Sequence, residues 1–278
     1  MRKKYFEKNK SAWEKLGISY KAFLKKEKEI SKYTKKGYRF ENSLFSRVVN
    51  LHIDSMGYTY DLLHNGDKDL FYNAFIKLGV KVLHNSEAIR NLVNFGLFGS
   101  GNTLYRPLLF DTMMIWYLYF NPHLTKYWLE ESFVTYKDKK WRSKFSESTI
   151  IKNLKEKGKK YKLNLDYEMD FAFYSKPAHP CHFGVRFFQN DKNELSYLPD
   201  FSMSIGHYLF IEVLSLLPFP TQVLLLKEKD RSADNHKIWL LRHKYNDIMP
   251  ILNELGRKTA KFHKEYFGAK PSEEITKS

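Results

Sequence analysis

The chain has 278 residues, 43% of them hydrophobic and 17% aromatic, which excludes a disordered polypeptide and is enough for a sizeable core. It carries a net charge of +16 and one cysteine, Cys181, so an internal disulfide framework and a thiolate metal cluster are both excluded, and a reducing cytoplasm is the expected compartment. The charge is concentrated. Residues 1–40 hold 14 Lys/Arg against 4 Glu, and residues 137–162 hold 11 against 3 acids, leaving 22 basic against 24 acidic residues in the rest. Two basic segments are thus attached to a nearly neutral body, a field suited to a phosphate backbone or an anionic surface.

In chain order, the basic start MRKKYFEKNK lacks an apolar stretch and does not read as a secretory signal. Residues 11–33 place Trp13, Leu16, Tyr20, Phe23, Leu24 and Ile30 near helical spacing with lysines opposite, predicting a basic amphipathic helix. Such a helix docks on a body, lies on an anionic membrane or contacts nucleic acid. Residues 1–40 are assigned to this N-terminal unit, residues 41–268 to one helical-bundle domain, and residues 269–278 to a polar, disordered tail.

Within the bundle, helices are expected over 42–63 and 68–83, each with an apolar stripe. A central apolar hairpin follows over 87–119. Its first arm carries Ile89, Leu92, Val93 and Leu97, Gly99-Ser100-Gly101-Asn102 breaks it, and its second arm runs from Leu104 to Tyr119 with Arg106 and Asp111 as its charges. A guanidinium in such a helix needs a partner. Another amphipathic stretch is expected over 124–136, then a charged helix end and loop over 152–162 that projects from the body. Residues 165–201 contain Pro177, Pro180 and Pro199 and read as an irregular insert with one small β-hairpin over 183–198. Helices resume over 203–217, 221–229 and 234–255, the last kinked near Pro250 and ending around Tyr266. The fold class is therefore mainly α, a multi-helix bundle with an irregular insert. Residues 104–120 and 205–226 are the nearest approaches to a membrane span, but Arg106 and Asp111 interrupt one, and His207, Glu212, Pro218 and Pro220 the other, so no stable membrane insertion is expected.

Several short motifs carry a family likeness: Ala88-Ile89 with Leu92 and a Gly/Asn turn, Tyr105-Arg106 with Leu108-Leu109, Trp116-Tyr117-Leu118-Tyr119-Phe120-Asn121-Pro122, and Tyr174-Ser175 with His179-Pro180. Together, over about residues 45–230, they resemble a group of bacterial all-helical proteins similar to the HEPN superfamily. The resemblance implies a helical bundle acting as a ribonuclease in toxin or antiphage systems, with an antitoxin or defence partner. In that pattern an acid falls four places after the arginine. Here Phe110 holds that place and the acid follows at Asp111, about a hundred degrees further round the helix.

The HEPN signature is an arginine followed after four to six residues by a histidine, a pair able to stabilise phosphorane charge and move the 2′-hydroxyl proton without a metal. Arg47 with His52, Arg231 with His236 and Arg257 with His263 match it, against about one match expected by chance. Arg231/His236 is the best placed, at a helix boundary, where the competing explanation is a helix cap supplied by Ser232 or Asp234. The other constellation is Arg106 with Tyr174, Ser175 and His179, an anion site with a proton-transfer group; in the competing reading Arg106 pairs with Asp111 or caps carbonyls. The phosphate backbone is expected at Lys25, Lys26, Lys139, Lys140, Arg142, Lys159 and Lys160. No cofactor or metal is expected: His179 and His182 flank Cys181 without a carboxylate cluster, and the glycines at 96, 99 and 101 lack the lysine and strand of a phosphate loop. The leading expectation is a metal-independent ribonuclease acting on RNA rather than DNA, and the alternative is a non-catalytic nucleic-acid- or partner-binding module. An exposed apolar helix face would permit a homodimer.

Overall fold

The computed structural model describes residues 20–130, 138–163, 165, 167, 203–231 and 235–267. Helices make up this part of the chain almost entirely, and no strand occurs among the described residues. In order they are α1 (Tyr20–Gly37), α2 (Arg39–His64), α3 (Leu70–Asn94), α4 (Phe98–Phe120), α5 (Thr125–Glu130), α6 (Lys139–Phe145), α7 (Glu147–Tyr161), α8 (Met203–Leu216), α9 (Pro218–Lys227) and α10 (His236–Phe267). The mainly α, multi-helix bundle expected from the sequence is the fold observed. The expected insert over 165–201 with its β-hairpin, apart from Leu165 and Tyr167, lies outside the described residues, as do the first part of the N-terminal helix, residues 131–137 and the tail.

α4 is the centre. Its residues Asp111 to Leu118 are all buried, so the helix has no solvent face over two turns. α3 packs along it most extensively, and α7, α8 and α9 close other sides. Trp116, Leu108, Leu109, Met113 and Leu118 form the middle of a core that also takes Phe45, Phe71, Phe75, Phe210 and Leu224.

The hairpin differs from expectation in where it breaks. α3 runs uninterrupted from Leu70 to Asn94, joining what the sequence pattern divides into two helices, and the turn is made at Gly96, whose φ of +75° suits glycine. Gly99 and Gly101 instead lie inside the first turns of α4. At Gly101 small size serves packing: a Cβ there would stand 2.9 Å from Leu209 Cδ2 of α8. Glycine here admits a neighbouring helix rather than ending its own. α10 runs from His236 to Phe267 with Pro250 inside it, close to the expected end near Tyr266. The 152–162 segment does not project as a bare charged arm: α7 buries Ile150, Leu154 and Gly158 and turns only its lysines outward.

α1 docks on α3 and α2, burying Ile30, Ser31 and Thr34, and the Thr34 hydroxyl donates to the Asn94 carbonyl. Residues 206–227 are long and apolar enough to cross a membrane by length and composition, yet 72% of that window is buried inside the bundle, as core helices are. Pro218 divides it into α8 and α9.

Close packing at the start of α8 yields a test. A methyl group on Gly206 would overlap the Tyr38 hydroxyl and the Phe98 ring, both buried. Gly206→Ala should therefore lower stability by about 1–3 kcal/mol, read as a reduced midpoint in thermal or urea denaturation.

Candidate nucleic-acid interface

The second basic block is divided between α6 and α7, and capping chemistry fixes both. The Asp138 carboxylate accepts from the Lys140 and Trp141 amides at 2.7 and 3.3 Å, and the Ser146 hydroxyl accepts from the Thr149 amide at 3.3 Å. Each helix then turns its apolar residues, Phe145 on one and Ile150 and Leu154 on the other, to the core. The Tyr117 hydroxyl of α4 donates to the Lys144 carbonyl at 2.8 Å, and Asn121 Nδ2 donates to Asn153 Oδ1 at 3.1 Å.

The strongest tie is ionic. Arg106 Nη2 donates to both Glu147 carboxylate oxygens at 2.8 Å, joining α4 to the first turn of α7. Glu147 is placed where the α7 dipole also favours a carboxylate. The guanidinium thus finds its counter-charge on another helix, not in Asp111. Five residues separate Arg106 and Asp111, which sets them about 140° apart around α4. Asp111 is buried and accepts from Lys81 Nζ at 2.7 Å and Asn85 Nδ2 at 3.3 Å, both on α3. Burial holds the Asp111 carboxyl above the usual aspartate range, with Lys81 opposing the shift.

Lysines lie over aromatic rings in two places on this surface. Tyr127 of α5 stacks on Phe145 at 6.0 Å and 7° between planes, Trp141 lies 4.3 Å from Phe145, and Lys140 and Lys144 stand 5.5 and 4.7 Å from the Tyr127 ring centre. At the last residue of α7, Tyr161 stacks on Phe120 at 5.4 Å and 14°, with Lys160 over Tyr161 and Lys157 over Phe120. These separations fall within cation–π range. Tyr161 is 51% exposed. Of the three acids in this block, Asp138 is committed to a helix cap and Glu147 to Arg106, so Glu156 alone faces the lysines uncommitted to either task. Lys139, Lys140, Arg142, Lys152, Lys159, Lys160 and Lys162 are exposed. The surface can neutralise a phosphate chain and offers the half-exposed Tyr161 ring to a base.

The other sequence-derived candidates separate. Tyr174, Ser175 and His179 lie outside the described residues, as does the His179–His182 segment. Lys25 is exposed on α1 and Lys26 half-buried there. Arg47 is exposed on α2 whereas His52 is wholly buried, its Nε2 within 2.9 Å of the Gly79 carbonyl, so this pair faces opposite ways. His236 is exposed at the start of α10, and Arg231 ends the short 3-10 turn before it. The expected cap at Ser232 or Asp234 falls outside the described residues; Asn235 Oδ1 accepts from the Lys237 and Ile238 amides at 3.0 and 3.4 Å. No group of three His, Cys, Asp or Glu able to hold a metal occurs among the described residues.

Two polar clusters escape sequence inspection because their members are distant in the chain. The buried Glu41 carboxylate meets His207 Nδ1 at 2.9 Å, and the buried Glu228 carboxylate accepts from the Tyr58 and Tyr72 hydroxyls. The lysine–aromatic layering does have a local signal, since Lys140/Lys144, Trp141/Phe145 and Lys157/Tyr161 each stand four apart on a helix face. No family model, curated protein or solved structure matches the chain.

Two outcomes follow. In a double-mutant cycle, Arg106→Ala and Glu147→Ala should show a coupling of about 0.5–1 kcal/mol, the size of a half-exposed ion pair. For Asp111, a carboxyl raised on folding weakens the protein when ionised, and that penalty is relieved as pH falls through its raised folded-state pKa. Asp111→Asn should therefore retain wild-type stability or exceed it at neutral pH and fall behind as the medium is acidified, measured by urea melts across pH.

Proposed function

We propose that this protein binds RNA through the α5–α7 face. The observation that carries the reading is the layering of Lys140 and Lys144 on Tyr127, and of Lys157 and Lys160 on Phe120 and Tyr161, within a block whose carboxylates are largely engaged elsewhere. Ammonium groups fixed by the rings beneath them meet a phosphate backbone while the half-exposed Tyr161 ring accepts an unstacked base, and single-stranded RNA offers both. α1 carries further exposed lysines, Lys25, Lys28, Lys32, Lys35 and Lys36.

A catalytic form of the same reading is supported by the HEPN-like motifs and by His236, an exposed imidazole five residues after Arg231. In it the protein is a metal-independent endoribonuclease of bacterial defence or toxin type, with either Arg231/His236 or His179 moving the 2′-hydroxyl proton. Arg106, committed to Glu147, serves there by holding α7 in place. Incubating RNA with wild type, His179→Ala and His236→Ala, with chelator present, separates the two forms: cleavage lost in one variant supports the enzyme, and binding with intact RNA supports the binding module.

The binding reading predicts that the logarithm of the affinity for a single-stranded RNA falls linearly with log salt. Lys140→Ala and Lys144→Ala should each shallow that slope by about 0.7, and Trp141→Ala should weaken binding by about 1–3 kcal/mol. Fluorescence anisotropy titrations at several salt concentrations check this, and a salt-independent affinity or an unchanged slope would count against the face.

A further inference from the structure

Helical hydrogen bonding runs across the junction of α1 and α2, where the Tyr38 amide donates to the Thr34 carbonyl at 2.7 Å and the Asn42 amide to the Tyr38 carbonyl at 2.9 Å. Ile30, Thr34, Tyr38 and Glu41 are buried on the body side. Lys32, Tyr33, Lys36, Arg39 and Phe40 are exposed, so one side of the junction is anchored and the opposite side faces outward. Tyr33 is 65% exposed and Phe40 55%. These two positions are seven residues apart, which sets them two turns apart on one side of the helix, about 10 Å along its axis.

The rings differ from those of the α5–α7 face. Tyr127 and Tyr161 lie under lysines and against other rings, whereas among the described residues neither a cation nor a ring covers Tyr33 or Phe40. The cations beside them are equally unengaged. Lys32, Lys36 and Arg39 have no carboxylate partner among the described residues, and Glu41, the next acid along the chain, is buried and held by His207 at 2.9 Å. Over residues 25–40 seven Lys/Arg stand against two Glu, so the face carries a net positive field that an anionic partner complements.

A bilayer surface suits this combination. The outer side of a helix is a ridge that meets a plane along its length, and the boundary between headgroups and acyl chains takes up a ring such as that of Phe40, which has no polar atom. Lysine and arginine stems then reach back to the lipid phosphates. Such docking needs no membrane span.

We propose that the α1/α2 junction docks this protein on an anionic membrane surface, with Tyr33 and Phe40 entering the headgroup boundary and Lys32, Lys36 and Arg39 meeting lipid phosphates.

Flotation of the full chain with vesicles of phosphatidylcholine, alone or mixed with phosphatidylserine, tests this. Binding is expected to the mixed vesicles only, and to weaken with salt. Phe40→Ser and, separately, Lys36→Ala should each lower the partition coefficient, Lys36→Ala by about fivefold. Both side chains are exposed, so each variant should keep the wild-type thermal melt, which assigns the loss to the surface and not to the fold. The Lys140→Ala/Lys144→Ala protein should float as wild type does. Absence of wild type from the mixed vesicles overturns the proposal, as does binding that survives both junction substitutions. Binding that falls as much when Lys140 and Lys144 are removed also overturns it, by assigning the effect to net charge alone. A wild type that ignores vesicles but loses RNA affinity in Phe40→Ser would assign the junction to nucleic acid instead.

Discussion

In α4, whose residues Asp111 to Leu118 have no solvent face and whose Arg106 is half-buried, each charged side chain meets a counter-charge from a neighbouring helix. Asp111 is answered by Lys81 of α3 and Arg106 by Glu147 of α7. These two pairs do different work. The first ties the two central helices together with an aspartate that burial holds above its usual pKa range. The second fastens to the core the helix that carries much of the basic block, and it withdraws one of the block's few acids from the surface.

From that fastening the electrostatics of the molecule follow. α7 buries Ile150, Leu154 and Gly158 against the body, so its lysines point outward in a fixed array instead of on a loose arm. Those near Phe120 and Tyr161, and those of α6 near Tyr127, are held over aromatic rings. The α2/α10 face, by contrast, neutralises its own lysines with Asp54 and Asp61. Net charge is thus sorted by surface: the lysines of α6 and α7 have few acids beside them, while those of the α2/α10 face are paired. The sorting rests on which acids the helices bring beside which lysines, not on composition alone.

Much of the fold was legible in the sequence because amphipathic periodicity is a local property. Leu44, Phe45, Val48, Val49, His52, Ile53 and Met56 mark the expected stripe of α2; the first five are buried, Met56 is half-buried and Ile53 is 44% exposed. The break of the central hairpin was misplaced because a glycine looks the same in sequence whether it bends the chain, as Gly96 does with positive φ, or admits a neighbour, as Gly101 does for Leu209. The need of Arg106 for a partner was legible, but its identity was not, since Glu147 lies 41 residues away and only the packing of α7 on α4 brings it near. The same distance hides Glu41 from His207 and Glu228 from its two tyrosines. The basic blocks were visible as counts, and the rings beneath their lysines were visible only as helical spacings that gain meaning once α5, α6 and α7 are set together.

The account stands on the lysine-covered aromatic face being where RNA lies. Ultraviolet crosslinking of single-stranded RNA to the full chain, with crosslinked peptides located by mass spectrometry, tests this most directly. Crosslinks at Tyr127, Trp141 and Tyr161 are predicted, because bases stacked on those rings lie within bonding distance when irradiated. Crosslinks confined to the α2/α10 face, or none under conditions where RNA is bound, would contradict it.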